Sequence, residues 1–493
     1  MLCLCYMVYF FKSFNHFFLN GIATICLLIN LSCSLDVDSD QQLTKYFEIE
    51  IKVEGQGEVS PGEGVYLNNS KIIFKATPNS GYYFDRWIGF DEVVNSEQYE
   101  LLLTQNLTLI AVFLPIPDLS KEILVYDPKL IDQNPIFMIE NGGKSAYLTS
   151  KTGKRQKTWN FDLNLGNDLE LMPDGSVIGI FKPNTVFFSF GGYGGVLKKY
   201  DPQGSLVWQY EVNSETELMH HDFEVLPNGN ILVLVWEKFS EDKAKDLGFD
   251  GNGPIYLEKL IELNPVSQNI VWEWRSADHL IQDYDSSISN FGVVAKHPEK
   301  INLNYSLKQN GDLMHANGLT YDQKRDVVYV SVNFYSEVWA IPHQFDTQKS
   351  KTESGDLVFR FGNPEAYDSQ GERIFYNNHH PSLVDLDPNS KGNFLIYMNG
   401  FKEEKSKVYE FTLPPTFESD PQKWESPEIT WSFSDLELFS GKLSGAYRLP
   451  NGNTLICEGD FGYWEVNSIG EIIWKFKGET AYWRGYIYPN FNP

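Results

Sequence analysis

Positive charge is what this chain has least of. Its 493 residues carry 40 Lys and Arg against 66 Asp and Glu, a formal net charge of −26. No basic stripe exists that would neutralise a phosphate backbone, which sets nucleic acid aside as a partner. An anionic small substrate would need local donors to overcome the same field. Cysteine is almost as scarce, with five in all, and Cys3, Cys5 and Cys26 fall within the first 33 residues. That leaves Cys33 and Cys457, the latter expected as a buried strand residue, so no intrachain disulfide framework forms. Long apolar helical patterns are scarce, and no paired-ligand spacing such as His-Glu-x-x-His occurs, so the signal for a metal is weak and no cofactor is implied. The length also exceeds one ordinary compact core unless the chain repeats.

What is present is strand and turn. Hydrophobic residues make up 42% and aromatics 15%, with 38 Gly and 24 Pro, and Asn-Gly and Asp-Gly pairs recur as hairpin signals. Before the folded part stands a leader, residues 1–33. Lys12 precedes the apolar stretch Gly21–Leu31, too short for a comfortable membrane span and read as a secretory signal. Ser32-Cys33 is similar to the end of a bacterial lipobox, although Asn30 stands where Leu is usual. Lipidation at Cys33, an ordinary cleaved signal and an uncleaved anchor all fit. Residues 34–45, with Asp36-Val-Asp-Ser-Asp40, read as an acidic tether. The expected location is exported, in the periplasm or at the outer membrane and cell surface, with any membrane attachment through a lipid on Cys33.

Residues 46–113 read as a small β module. Phe47–Val53 alternates at period two, and Lys71-Ile-Ile-Phe-Lys-Ala-Thr-Pro, Gly81-Tyr-Tyr-Phe-Asp-Arg-Trp87 and Leu107-Thr-Leu-Ile-Ala-Val-Phe113 follow. This segment resembles the bacterial repeat domain of surface proteins, similar to internalin-type B repeats. The resemblance implies a spacer or adhesion module without chemistry, with Trp87 as core. Residues 114–120, opening on Leu114-Pro-Ile-Pro117, make a stiff linker.

From residue 121 to 493 the chain repeats an aromatic-x-aromatic motif: Trp159-Asn-Phe161, Trp208-Gln-Tyr210, Trp272-Glu-Trp274, Phe359-Arg-Phe361, Trp431-Ser-Phe433 and Trp474-Lys-Phe476. Between copies fall Met172-Pro-Asp-Gly, Leu226-Pro-Asn-Gly and Leu449-Pro-Asn-Gly, whose Asx-Gly pairs suit tight hairpins. Successive copies lie 49, 64, 87, 72 and 43 residues apart, against roughly 40–50 per propeller blade. The expected fold is therefore all-β: a six-bladed β-propeller, with insertions near 240–256, 277–310 and 342–380, and a small N-terminal β module. The strand Ile123–Tyr126 should close the ring against the last blade.

Of nine histidines, His220-His221, His315 and His379-His380 stand at strand starts from three separate repeats, where inner strands converge on a common axis. Three readings fit them: a zinc site, covalent catalysis by a neutral imidazole, and histidines held for structure alone. The stretches "MHHDFEVLPNGNILVLVWE", "FGVVAKHPEKINLNY", "DLMHANGLTYDQKRDVVYVSV", "RFGNPEAY", "NNHHPSLVDL" and "LSGAYRLPNGNTLICEGDFGYWEV" add to this. They resemble, in order and over nearly all of 120–493, the bacterial aryl-sulfate sulfotransferases, the arylsulfotransferase family.

That resemblance implies transfer of a sulfuryl group from a phenolic sulfate ester to a phenol without a nucleotide sulfate donor. It implies His379 as the nucleophile that is transiently sulfated, with His380 replacing the usual acid or amide beside it. It implies His221, or His220, and His315 as partners of the sulfuryl oxygens, with Asn317 beside them. Clustered donors aimed at those oxygens would stabilise the charge of the transition state. Asn333 stands where the family commonly has an arginine, so a neutral amide replaces a cationic fork. Arg484 or a protonated His380 is the candidate to supply the missing charge. An impaired propeller that binds surface glycans or protein partners, and a sulfate-ester hydrolase, are the alternatives.

Overall fold

The computed structural model describes residues 44–306, 308–384, 392–400 and 405–489. The expected leader, Cys33 and nearly all of the tether lie outside the described residues. The chain divides into two compact units: one holds Glu58–Thr77 and Arg86–Ala111 with residues up to Glu54, the other Val112–Pro493 with Gly55–Gly57 and Pro78–Asp85.

In the first unit, Tyr46–Glu54 pairs antiparallel with Gly64–Leu67, and Lys71–Pro78 with Gln98–Leu102. Period-two alternation turns Ile49, Ile72, Phe74 and Ala76 inward. Trp87 is buried, its ring 5.9 Å from that of Phe74 and its indole N–H donating to the Ser96 carbonyl at 3.1 Å.

In the second unit the described residues form six large antiparallel sheets of four strands, the sixth with a fifth strand added. Helix is confined to short segments such as Glu241–Asp246, in one of the expected insertions. Each aromatic-x-aromatic motif marks the fourth strand of its sheet, and each Pro-Asx-Gly turn joins a first strand to a second. At Gly229, for example, φ is +82°, which the turn requires and glycine adopts freely. The motif tryptophans have a second use. The indole N–H groups of Trp208, Trp272, Trp431 and Trp474 donate to Pro265 O, Ser350 Oγ, Ser468 O and Lys151 O at 2.7–3.2 Å. Each acceptor lies on the outer connection of the next sheet in order, and for the sixth sheet the next is the first.

Two pairings tie the ends of this unit together. Ile123–Tyr126 lies along Ile472–Lys477 of the sixth sheet, the pairing expected of it. The other tie has no comparable sequence signal: Tyr482–Ile487 pairs with Ile136–Glu140 and completes the first sheet.

The first strands Leu165–Leu171, Glu217–Val225, Ala316–Asp322, Asn378–Val384 and Gly445–Arg448, with Tyr482–Ile487, pack against one another in sequence order. Polar side chains stitch them. Arg484 extends from Tyr482–Ile487 to three other sheets, with Nη1 donating to Asp168 Oδ2 at 3.0 Å and Asp222 Oδ1 at 2.9 Å, and Nη2 to the Asn317 carbonyl at 3.2 Å. Asp222 in turn accepts the Leu319 N–H at 2.8 Å, and Glu224 accepts that of Tyr321 at 2.8 Å. Burial pushes the Asp168 carboxyl up to about 7 against the pull of Arg484. Arg484→Met should therefore strand two buried carboxylates and cost about 3–5 kcal/mol. Denaturant unfolding checks this, and a midpoint equal to that of the parent protein contradicts it.

Candidate functional site

The site lies where these inner strands begin, and irregular backbone builds it. The pairing register slips between Met219 and Phe223, between Ala316 and Gly318, and between His379 and Ser382. Such bulges re-aim side chains that a regular pleat would bury between strands. His221 and His380 sit within two of these slips and His315 directly before the third, with φ of +51°, +53° and +53°, a left-handed conformation that non-glycine residues rarely hold and that marks a constrained site.

Two of the expected histidines meet directly. The rings of His221 and His315 are 4.7 Å apart, nearly perpendicular. Both Nε2 atoms come up beside the turn at Gly191-Gly192. A Cβ on Gly191 would stand 4.0 Å from His315 Nε2, and one on Gly192 only 2.0 Å from His221 Nε2. His315 is backed by Phe334, stacked at 4.7 Å, and its Nδ1 faces Asp312 Oδ2. His220 lies flat on Trp236 at 3.9 Å and is wholly buried. It is thus the inner member of the pair, its Nδ1 2.9 Å from His221 Nδ1.

His379 and His380 differ in their hydrogen bonds. Asn399 spends both amide protons on the carbonyls of Ser440 and Leu443, at 2.8 and 3.1 Å. Its Oδ1 is therefore the atom that meets His379 Nδ1 at 2.5 Å, so Nδ1 carries the proton and Nε2 keeps a lone pair. At His380 the Ala446 N–H donates to Nδ1 at 3.2 Å, which leaves the proton on Nε2. Burial holds both imidazoles neutral, pushing His379 down to about 3 and His380 well below its ordinary value, with help from Arg484. His220 and His221 are lowered in the same way.

The side chains of the two expected asparagines are engaged with backbone. Asn317 Nδ2 donates at 2.8 Å and Asn333 Nδ2 at 3.4 Å to the same carbonyl, that of Asn378, and Ser331 Oγ joins them at 3.2 Å. These amides hold the backbone just ahead of His379. Arg484 is buried with its charge matched by Asp168 and Asp222. Two lysines border the site instead: Lys308 Nζ lies 4.3 Å above the Phe334 ring, and Lys182 Nζ 4.8 Å above that of Tyr193, next to Gly192. Among the described residues no group of three or more His, Cys, Asp or Glu side chains is arranged to hold a metal ion.

Several participants went unmarked in the sequence. Asp312 stands three residues before His315, and Glu258 lies with Lys259 and Glu262 in the buried strand Ile255–Asn264; charged residues in a buried strand are a signal. The run Gly191-Gly192-Tyr193-Gly194-Gly195 is another. Asn399, at the end of an ordinary strand, offers none.

A family model described as Arylsulfotransferase (ASST) matches residues 123–481, and one described as Divergent InlB B-repeat domain matches residues 47–117. No curated protein matches the chain. Among solved structures, a candidate 6-phosphogluconolactonase from Bacteroides fragilis is 11% identical, with TM-score 0.39, over 73% of this chain and 100% of that one. The β-propeller domain of Myceliophteria thermophila Cps50 (Swd1) is 9% identical, with TM-score 0.33, over 74% and 90%.

Gly192→Ala should push the His221 ring out of place. It should lose about 1–3 kcal/mol more than Gly229→Ala, where φ is equally positive but the new Cβ meets nothing within 4 Å. Thermal melting of the two variants compares them; equal losses contradict the contact.

Proposed function

The chain belongs to the arylsulfotransferase family, and from that membership we propose that it moves a sulfuryl group from a phenolic sulfate ester to a phenol through a sulfated His379. The observation that carries the assignment is the proton pattern of the adjacent histidines. His379 presents a lone pair at Nε2, whereas His380 presents a proton there.

In the first half-reaction the Nε2 lone pair attacks sulfur, the N–S bond forms and the S–O bond to the aryl group breaks. The imidazole gains positive character as it does so, and the Asn399 oxygen at Nδ1–H is placed to stabilise it. His221 and His315 face the sulfuryl oxygens and the departing oxygen. With an amide at position 333, Lys182 and Lys308 supply positive field at the border of the site. In the second half-reaction a phenol oxygen attacks that sulfur, the new S–O bond forms as the N–S bond breaks, the phenolic proton passes to His221, and His379 is neutral again. The fold assigned to this chemistry is a six-bladed propeller whose blades are the six sheets, supported by the 6-to-1 order of the tryptophan bonds and the two end ties.

We also propose export with a lipid anchor at Cys33, supported by the apolar stretch 21–31 and Ser32-Cys33. No described helix is long and apolar enough to cross a membrane. Cys33→Ala should abolish incorporation of labelled fatty acid in a bacterial host; retained label contradicts the anchor.

Incubation with p-nitrophenyl sulfate should give a burst of nitrophenolate and then turnover that depends on added phenol. His379→Ala should remove both, while release that ignores phenol identifies a hydrolase. Because the His379 pKa is about 3, its neutral form persists down to about pH 4. The rate of the burst per unit of ester should therefore show no acid limb near 6.5, the ordinary histidine value. A limb there that His221→Gln and His315→Gln both retain contradicts the assignment.

A further inference from the structure

The family reading assigns roles to His221, His315 and His379 but none to what lies behind them. Behind His221 a buried chain of three groups leads away from the site. His221 Nδ1 is 2.9 Å from His220 Nδ1, and His220 Nε2 is 3.0 Å from Glu258 Oε2. The other carboxyl oxygen, Oε1, is occupied by the Ala316 N–H at 2.7 Å, so Oε2 is the oxygen that faces the imidazole. His220 cannot swing away, since it is clamped flat on Trp236. His220, His221 and Glu258 are each at most 3% exposed. Three proton-carrying groups in line, each in direct hydrogen-bond contact with the next, make a relay rather than a set of separate bonds.

From this geometry, and resting on the sulfotransferase reading above, we infer that Glu258 is the proton store of the reaction, connected to His221 through His220. In the resting chain Glu258 Oε2–H donates to His220 Nε2, His220 Nδ1–H donates to His221 Nδ1, and His221 Nε2–H faces the bound ester. As the S–O bond breaks, the departing oxygen takes the proton from His221 Nε2. His221 Nδ1 takes the one from His220 Nδ1, and His220 Nε2 takes the one from Glu258. The phenol leaves neutral and the carboxylate keeps the negative charge. When the acceptor phenol attacks sulfur, its proton enters at His221 Nε2, the three transfers reverse, and Glu258 is protonated again.

The electrostatics agree with a proton resting on the acid. Burial raises the Glu258 carboxyl well above its ordinary value, and Asp312 adds to the shift while the Ala316 N–H and His315 oppose it. Burial lowers both imidazoles, so neither holds a charge at rest. The same carboxyl fixes the residue after His315, which gives it a positioning role as well. The test must separate the two.

Glu258→Gln keeps the bond from Ala316 and still donates to His220 but has no proton to pass on. With p-nitrophenyl sulfate, whose phenolate leaves unaided, the burst should stay within about threefold of the parent. With phenyl sulfate, whose phenolate needs a proton, it should fall on the order of 100-fold. An equal fall for both esters means Glu258 only positions Ala316, and overturns the relay. If the variant does not fold, the parent protein decides: the phenyl sulfate burst in mixtures of light and heavy water should curve, as for several protons in flight. A straight line overturns the relay. No burst from the parent with either ester overturns the sulfotransferase reading itself, and this inference with it.

Discussion

Everything at the centre of this molecule is organised around the Arg484 guanidinium. One side chain from Tyr482–Ile487 joins Asp168, Asp222 and the Asn317 carbonyl, and so ties four sheets at a single point. A cation and two carboxylates in a dry interior are costly apart and tolerable together. The geometry of the inner strands is fixed by that requirement. Asp222 passes the constraint on by accepting the Leu319 N–H, and Asn317 passes it on by holding the Asn378 carbonyl. The histidines at the head of these strands inherit their positions from the knot beneath them.

A second constraint is backbone rather than charge. Regular strands would send alternate side chains into neighbouring sheets. The register slips at Met219, Ala316 and His379 interrupt that alternation where the imidazoles are needed. Each slip carries or directly follows a histidine in the left-handed region, strain that the packed sheets around it sustain. Hydrogen-bond partners then set the proton positions, with Nδ1 of His379 donating to Asn399 and Nδ1 of His380 accepting from Ala446.

How much of this could be read from residues follows from which signals are local. Turn pairs and the spaced tryptophans are local, so six repeats were legible, and every copy of the motif falls on a fourth strand. Pairing of Ile123–Tyr126 with the last sheet was legible once the repeats implied a ring that needs closing. Completion of the first sheet by Tyr482–Ile487 was not, since nothing in that segment names Ile136–Glu140. The histidines stood out as clustered polar residues at strand starts. Their partners did not, because Asn399 and Glu258 act across sheets from ordinary-looking strands. Arg484 illustrates the limit: a sequence shows a cation without showing the two carboxylates that pair with it. Asn333 likewise turns out to hold backbone.

The first sheet draws three strands from residues 136–160 and its inner strand from 482–487. Synthesis must therefore run past Ile487 before that sheet has its fourth strand and before Asp168 and Asp222 meet their cation. A shorter nascent chain, or one clipped ahead of Tyr482, holds every histidine named above yet has no means of setting them in place. Closure of the first sheet and assembly of the site therefore depend on the same short segment, Tyr482–Ile487.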